Sequence, residues 1–251
     1  MSALLSILMI TKNSEELMEK SLSSVFSIAK EIVIIDDFSI DATISISKKY
    51  NPIIFERHND DLGAQRAFGL STCKGQWILM LDADEIVSPK LKEEIKLILK
   101  NEKSNMNGYY VPYQNHLFGK PIYFGGENYN ILRLFKRDSA IIDNNLIHEH
   151  VTMKGQTGYL KNKILHYSYR RPFQIIQKFT DYARRESKSK VQNNEKSSFR
   201  KLTFYPIHMI WARYIKDKGY KDGITRLFLD LAFGYMEFCT YLFLIFEKRK
   251  K

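Results

Sequence analysis

Hydrophobic residues recur with two different periods along the first hundred positions of the chain. Four short runs rich in Ile, Leu and Val predict strands, and each is followed by a segment with helical spacing. The strands are predicted at 6–10, 32–36, 53–57 and 77–81, and the helices at 15–28, 42–50, 63–73 and 89–101. Strands this apolar that alternate with helices predict a parallel sheet covered on both faces.

The pattern changes after residue 108. Three further strands are predicted at 109–113, 131–135 and 164–167, separated by Gly and Asn positions that favour turns. Beyond residue 172 the spacing is helical, with helices predicted at 173–191, 199–216 and 222–247. We therefore expect an α/β domain over residues 1–170 and a basic, partly amphipathic helical region over residues 171–251.

The last predicted helix is mostly apolar. Residues 224–246 contain three charged side chains, Arg226, Asp230 and Glu237, which fall within about 40° of one another at helical spacing. The longest uncharged run is too short to span a bilayer, which requires roughly 20 residues. Two interpretations stay open: the helix packs on the domain, or it lies in a membrane interface.

Charge is distributed unevenly between the two parts. The net charge of the chain is +11; residues 1–160 carry −2 and residues 161–251 carry +13. This asymmetry indicates a polyanionic partner, either nucleic acid or an anionic membrane surface, although a merely solvated basic face has the same composition. The two cysteines, Cys73 and Cys239, exclude a disulfide scaffold and a thiolate zinc site, and they suit a reducing compartment.

Acidic residues follow the predicted strands, at the sheet edge where α/β proteins bind ligands. Asp36 and Asp37 end the second strand, and Asp82-Ala83-Asp84-Glu85 follows the fourth. Side chains at i and i+2 of an extended segment point the same way, so Asp82 and Asp84 can face one Mg²⁺ or Mn²⁺ ion. The alternative is a polar turn. The first strand is not followed by a Gly-x-Gly-x-x-Gly or Walker motif, which argues against dinucleotide and P-loop binding.

Four segments in order resemble the family 2 glycosyltransferases, which are inverting enzymes with the GT-A fold. They are ILMITKN at 7–13, DDFSIDAT at 36–43, GAQR at 63–66 and WILMLDADE at 77–85, followed by RLF at 133–135 and IHEH at 147–150. Within that family, the chain length and the basic helical tail look most like the lipopolysaccharide inner-core glucosyltransferases.

The resemblance implies a GT-A (Rossmann-like) nucleotide-sugar-binding sheet and a role for each matched residue. Thr11 and Asn13 would line the nucleotide pocket, and Asp37 would hold the uracil or the ribose. The resemblance places Asp84 as the principal ligand of Mg²⁺ or Mn²⁺, and Asp82 on the same metal or on the ribose. The other nucleotide-sugar-binding positions would be Arg66, Ala83 and Glu85, of which Glu85 orients the loop or touches the donor sugar.

Inverting transfer needs a base that takes the proton of the acceptor hydroxyl. The resemblance favours Glu149, which lies in the His148-Glu149-His150 segment. Asp143 and Glu127 are the substitutes, and His166 is a further candidate for the metal shell.

The resemblance implies an enzyme that moves a hexose, glucose from UDP-glucose, to a lipopolysaccharide core acceptor. We expect a cytoplasmic protein, peripheral at the cytoplasmic face of a Gram-negative inner membrane, with a lipid-linked saccharide acceptor and an anionic membrane surface as partners. One alternative is transfer to another surface polysaccharide or glycolipid. The other is a non-catalytic protein that binds nucleic acid through its basic C-terminal region.

Overall fold

The predicted alternation of strands and helices is present in the computed structural model, which describes residues 4–58, 62–101, 104–142 and 151–248. The chain forms two units, Met1–Tyr113 with Tyr129–His166 and Gln114–Asn128 with Tyr167–Lys251. The expected domain boundary at residue 170 stays a prediction.

The seven predicted strands and the predicted helices lie close to their expected positions. The strands are β1 Leu5–Thr11, β2 Glu31–Asp36, β3 Ile53–Glu56, β4 Trp77–Asp82, β5 Glu85–Val87, β6 Met106–Leu117, β7 Lys120–Pro121, β8 Asn130–Lys136, β9 Ala140–Ile142, β10 Val151–Met153, β11 Gln156–Tyr159 and β12 Ile164–Tyr169. Of these strands, β5, β7, β9, β10 and β11 were not predicted from the sequence. The α-helices are α1 Glu15–Phe26, α2 Thr43–Lys48, α3 Leu62–Thr72, α4 Pro89–Lys100, α5 Pro172–Gln192, α6 Phe199–Trp211 and α7 Ile224–Lys248. A π-helical segment, Ala212–Lys216, continues α6, and 3₁₀ turns occupy Arg137–Ser139 and Gly219–Asp222.

The central sheet has the strand order β3-β2-β1-β4-β8-β6-β12-β5. Strands β1 to β4 are parallel, whereas β8 runs antiparallel to β4. Thr11 is level with Asp36 on one side, and Ile10 is level with Asp82 on the other. The register therefore brings the polar residues that end three strands to one edge of the sheet.

Alternation along the buried strands creates a core on each face of the sheet. Ile7 and Met9 of β1 contribute to the core that contains Met18 and Leu22 of α1. Leu8, which points to the other face, packs with residues of β2 and β4 in a second core. Gly69 allows α3 to lie close to this second face, because a Cβ there would overlap the side chain of Leu8.

The second unit is organised around α7, which packs along both α5 and α6. Leu229 and Ala232 of α7 form a buried cluster with Ile175 and Phe179 of α5. By length and composition alone, Ile224–Glu247 could cross a membrane, and 44% of its most apolar window is buried inside the structure. Of the two interpretations left open by the sequence, the packed helix is the one that this arrangement favours.

Candidate active site at the carboxyl ends of the strands

Asp82, the last residue of β4, lies between two arginines. Arg66 of α3 donates from Nη2 to both carboxylate oxygens, at 3.0 and 3.2 Å. Arg133 of β8 donates from Nη2 to Oδ2 at 2.9 Å. Burial raises the pKa of Asp82, but the two guanidinium groups outweigh burial and hold this pKa well below its usual range. Asp82 is therefore an ionised anchor for both arginines.

Glu85 completes this cluster from inside the core, where its side chain is 1% exposed. Its Oε1 accepts hydrogen bonds from Arg133 Nη2 at 2.7 Å and from Tyr113 Oη at 2.5 Å. Its Oε2 accepts from the backbone N–H of Asp82 at 3.0 Å. Burial raises the pKa of Glu85, and Asp82 raises it further, against the attraction of Arg133. Glu85 thus holds the backbone of the turn that follows β4.

Tyr113 and Arg133 form a hydrogen bond with each other, and each also forms one with Glu85. Arg133 Nε donates to Tyr113 Oη at 2.6 Å, and burial raises the pKa of the Tyr113 phenol well above its ordinary value. Burial disfavours the charged form of Arg133, but Glu85, Tyr113 and Asp82 outweigh it, and its pKa is raised well above normal. The turn therefore rests on a guanidinium that stays charged.

Asp84 points to a different partner from Asp82. Residues 83 and 84 form a turn, so the extended geometry that would let both carboxylates face one cation is absent at this position. Asp84 Oδ2 lies 3.5 Å from Nε2 of His166, which is paired with Glu85 across β12 and β5. Ala83, which lies between Asp82 and Asp84 in the sequence, is buried. The structure therefore places Asp84 next to His166.

The donor set suits a hard divalent cation only in part. Within the described ranges, no group of three or more His, Cys, Asp or Glu side chains is arranged to hold a metal ion. A carboxylate and an imidazole nevertheless fit the way Mg²⁺ and Mn²⁺ bind, with few protein ligands and the remaining positions filled by water and substrate phosphates. Asp84 and His166 are thus the side chains here that fit such an ion, and Asp82 is engaged by arginines.

Asp37, which follows β2, sits between two bases. Lys12 Nζ donates to its Oδ2 at 2.6 Å, and His58 Nδ1 lies 2.6 Å from its Oδ1. Burial would raise the pKa of Asp37, but the hydrogen bonds and charges of Lys12 and His58 lower it below its usual range. The side chain of Asp37 is 17% exposed, which leaves part of it accessible at the edge of the sheet.

The loops after β1 and β2 are tied to each other. Asn13, at φ 47°, donates its backbone N–H to Ser39 Oγ at 2.8 Å and accepts the N–H of Ile40 on its side chain at 2.9 Å. The carboxylate of Asp36 accepts two hydrogen bonds from Ser39, one from its backbone N–H and one from its hydroxyl. Thr11 is buried, and its hydroxyl has no hydrogen-bond partner among the residues described. Of the two predicted nucleotide contacts here, Asn13 therefore shapes the loop and Thr11 keeps an unused hydroxyl.

A cavity of about 330 Å³ adjoins the Asp82 cluster. Arg66 and Arg133 line it together with Tyr110, Asn130 and neighbouring apolar residues. The Nη1 group of Arg133 is buried without a hydrogen-bond partner in the described part of the chain. Arg133 thus keeps one donor group without a partner, in a side chain that lines this cavity.

The predicted bases divide into two cases. Glu149 and Asp143, like His148 and His150, lie outside the described residues. Glu127 belongs to the second unit, where it is buried and accepts hydrogen bonds from Arg213 and from Asn115 Nδ2, the latter at 3.0 Å. Burial raises the pKa of Glu127 against the opposing attraction of Arg213 and Arg226.

Two residues that contact the predicted site residues were not found from the sequence. Tyr113 ends the run of residues predicted as a strand, and no local pattern marks it as a partner of Glu85, 28 positions earlier. His58 follows β3, and its contact with Asp37 joins two strands that only the sheet register makes neighbours. The signal that could have found His58 is its position directly after a predicted strand.

Comparison with known proteins identifies relatives of the chain. Residues 6–162 match the family described as Glycosyl transferase family 2. An uncharacterized glycosyltransferase of Rickettsia conorii is 27% identical over 93% of this chain and 87% of its own length. The lipopolysaccharide core biosynthesis glycosyltransferase LpsC of Rhizobium meliloti is 26% identical over 94% of this chain and 90% of its own.

Solved structures with the same fold are more distant in sequence. S. aureus TarS aligns with a TM-score of 0.50 and 13% identity, over 99% of this chain and 92% of its own. The mannosyltransferase PcManGT of Pyrobaculum calidifontis, solved with GDP-Man and Mn²⁺, aligns with a TM-score of 0.50 and 12% identity, over 92% and 73%. At such identities the likeness concerns the fold alone.

Proposed function

Because the chain belongs to glycosyl transferase family 2 and is a nucleotide-sugar-dependent glycosyltransferase with the predicted GT-A fold, we propose that it transfers a hexose with inversion to a lipopolysaccharide core acceptor. The proposed donor is UDP-glucose. Similarity to LpsC over nearly the whole chain supports the acceptor class. Another surface polysaccharide or glycolipid stays the alternative acceptor, because the same donor half serves both.

The clamped turn after β4 is the observation that carries the donor half of this proposal. Arg133 and Tyr113 hold Glu85, Glu85 holds the backbone of Asp82, and Asp84 is left beside His166 at the edge of the sheet. Because the buried side chains already hold this turn, the Asp84 carboxylate is ordered before the donor binds, and binding does not have to supply that ordering free energy. Asp84 is therefore the side chain that we assign to the diphosphate end of the donor.

The nucleotide end of the donor is assigned to the loops after β1 and β2. Asp37 is the proposed hydrogen-bond acceptor for the uracil or ribose. When the ligand binds, it replaces Lys12 or His58 as a hydrogen-bond partner of the Asp37 carboxylate. Thr11 offers a buried hydroxyl with no partner among the described residues. Arg66 and the spare donors of Arg133 supply positive charge to the phosphates or the sugar.

A divalent cation, when bound, offsets the negative charge that develops on the departing diphosphate. Asp84 would hold it, with His166 beside Asp84 as the second protein donor. PcManGT, which shares the fold, was solved with Mn²⁺, and this supports Mg²⁺ or Mn²⁺ as the proposed cofactor.

Glu149 is the proposed general base. It takes the proton of the acceptor hydroxyl as that oxygen attacks the anomeric carbon and the bond to the diphosphate breaks. Glu149→Gln is expected to lower transfer about 10²- to 10⁴-fold while UDP affinity stays unchanged. Turnover of UDP-glucose and calorimetric UDP binding measure the two effects, and Asp138→Asn, at an exposed side chain, is the matched control. Normal turnover would transfer the base role to another carboxylate.

We also propose that the enzyme works at the cytoplasmic face of the inner membrane, on a lipid-linked saccharide. The whole net charge of +11 belongs to the second unit, which contains 20 Lys/Arg and 9 Asp/Glu residues. Cationic residues near an anionic leaflet contribute roughly 1 kcal/mol each to membrane binding. Membership of an enzyme family favours this interpretation of the charge over the nucleic-acid-binding alternative.

Calorimetric titration with UDP tests the donor half directly. Binding to UDP should require Mn²⁺ or Mg²⁺ and should be stronger than binding to GDP or dTDP. Metal-independent binding, or equal affinity for the three nucleotides, would overturn the assignment. Transfer of labelled glucose to purified lipopolysaccharide core, compared with transfer to other glycolipids, then tests the acceptor separately.

A further inference from the structure

Exposed apolar side chains are concentrated in the second unit. Among the described residues, 15 of the 25 large hydrophobic side chains that are exposed belong to it, although it is the smaller unit. Six of these 15 lie between Phe199 and Ile215, on α6 and the π-helical segment that continues it. Single exposed hydrophobic residues are ordinary, whereas a contiguous group marks an interaction surface.

Four of the exposed side chains follow one line along the helix. Phe204, Ile207, Trp211 and Ile215 are 62%, 64%, 50% and 49% exposed, and they recur at intervals of three, four and four residues. This is the spacing of one helix face, and the face points to solvent. We call these four residues the α6 stripe.

The opposite side of α6 accounts for its own packing. Pro206 is buried, and Ile210 lies against Gly234 of α7, where a Cβ would overlap it. The α6 stripe is therefore not needed to attach α6 to α7. Three stripe residues, Phe204, Ile207 and Trp211, line an apolar depression of about 790 Å³ together with Tyr205 and Met209. Its polar positions are Arg200, His208 and Glu237.

Basic residues lie at both ends of the stripe. The segment from Ser198 to Lys221 contains six Lys/Arg residues and one acidic residue, Asp217. Arg200 is exposed near the first end, and Lys216 and Lys218 are exposed after the last. This combination complements an anionic surface with an apolar interior. It opposes a second copy of the chain, since two units of charge +11 would face each other.

We propose that the α6 stripe docks the protein on an anionic phospholipid bilayer. Phe204, Ile207, Trp211 and Ile215 enter the headgroup and upper acyl region, and Arg200, Lys216 and Lys218 contact lipid phosphates. The inference deepens the proposed function, on which it rests for its biological setting, by naming α6 rather than the long apolar helix α7 as the membrane-contacting element.

Tryptophan fluorescence tests this surface with a reporter already in place. The chain has two tryptophans, and Trp77 is 4% exposed in the core of the first unit, whereas Trp211 is half exposed on the stripe. With vesicles of phosphatidylcholine and phosphatidylglycerol in equal parts, we expect a blue shift of emission and quenching by brominated acyl chains. Vesicles of phosphatidylcholine alone should bind far less, and added salt should weaken binding to the anionic ones.

Paired variants assign the effect to the stripe. Phe204→Gln with Ile207→Gln should weaken vesicle affinity at least about tenfold, because two large side chains lose their apolar environment. Leu97→Gln is the matched control, since Leu97 on α4 of the first unit is 68% exposed, and it should change nothing. UDP affinity should be the same in all of these proteins.

Each outcome bears on the proposal. Unshifted Trp211 emission with anionic vesicles, or equal loss of affinity in the Leu97→Gln control, would overturn it. Monomers formed from a wild-type dimer by the double substitution would make the stripe an interface between copies, which also overturns it. Vesicle binding without UDP binding would instead refute the proposed donor and leave the stripe assignment standing, so the two failures are distinguishable.

Discussion

Two carboxylates, one in each unit, each form ion pairs with two arginines, yet their pKa values are shifted in opposite directions. The pKa of Asp82 is lowered because Arg133 and Arg66 outweigh burial. The pKa of Glu127 is raised because burial outweighs the attraction of Arg213 and Arg226. Two differences accompany these shifts: the negative charge of Asp230 also raises the pKa of Glu127, and the side chain of Glu127 is 4% exposed whereas that of Asp82 is 29% exposed.

In the first unit, Arg133 directs its donors to the side chains of one turn, Asp82 and Glu85, and to Tyr113. In the second unit, Arg226 donates to the backbone carbonyls of Phe124 and Gly125 and to Asp230. The first arrangement presents a neighbouring carboxylate to solvent, whereas the second fixes the path of a loop. Buried arginine clusters of similar composition therefore serve a binding site in one unit and backbone geometry in the other.

The largest expected effect is on transfer activity, and it distinguishes Asp84 in the turn after β4 from the buried residues that hold this turn. Asp84→Asn should lower transfer about 10²- to 10³-fold, because charge at the leaving diphosphate is no longer offset. The free energy of unfolding should change by no more than about 0.5 kcal/mol, since Asp84 is not part of the buried cluster. Steady-state transfer and urea unfolding measure the two quantities. Full activity in this variant would remove the turn from the donor site.

Substitution in the arginine cluster of the second unit should lower stability and leave donor binding unchanged. Arg226→Met leaves Asp230 and the Gly125 carbonyl buried without their main donor, and should cost about 3–5 kcal/mol of stability. UDP affinity, measured where the variant is folded, should not change. Arg184→Met is the control, because Arg184 is 62% exposed and its partner Asp181 is equally accessible; its effect should stay within about 0.5 kcal/mol. A stable Arg226→Met protein would contradict the loop-fixing role.

The smallest effect concerns pH. The lowered pKa of Asp82 adds stability that is complete above its unfolded pKa, about 3.9, and that is lost as the pH falls below it. The raised pKa of Glu127 does the reverse, since stability falls as the pH rises from the unfolded value, about 4.3, towards the raised one. Urea unfolding across this range should show that Asp82→Asn removes the first dependence and Glu127→Gln the second. Parallel pH profiles for both variants would refute the contrast.

The order of the elements and the acidic edge were predictable because their signals are local. Each of β1 to β4 is a short apolar run, and the residues that end them, such as Asp37 and Asp82, follow directly in sequence. The extended Asp82–Asp84 geometry was not correct, because the turn depends on a hydrogen bond from the Asp82 amide to the buried Glu85 carboxylate. Nothing in the tetrapeptide itself distinguishes a side chain that faces a ligand from one that faces the core.

The remaining contacts join residues far apart in sequence. Resemblance to a family pointed to the segment with Arg133, but not to its contact with Tyr113, 20 positions away. In the second unit, the arginine that binds the carbonyl of Gly125 comes 101 residues later. Such pairings depend on which helices and strands pack together, and the hydrophobic periodicity of the sequence does not report this.

The clamp on the β4 turn also sets an order of events for a chain emerging from the ribosome. All the acidic residues assigned to the donor site precede residue 86, whereas their clamps Tyr113 and Arg133 follow Glu85 by 28 and 48 residues. A nascent chain that has just completed the parallel strands already contains Arg66, which pairs with Asp82, but not Tyr113 and Arg133, which hold Glu85. Donor recognition therefore matures only when β8 has been translated and has joined β4, so the site that is encoded first is finished late.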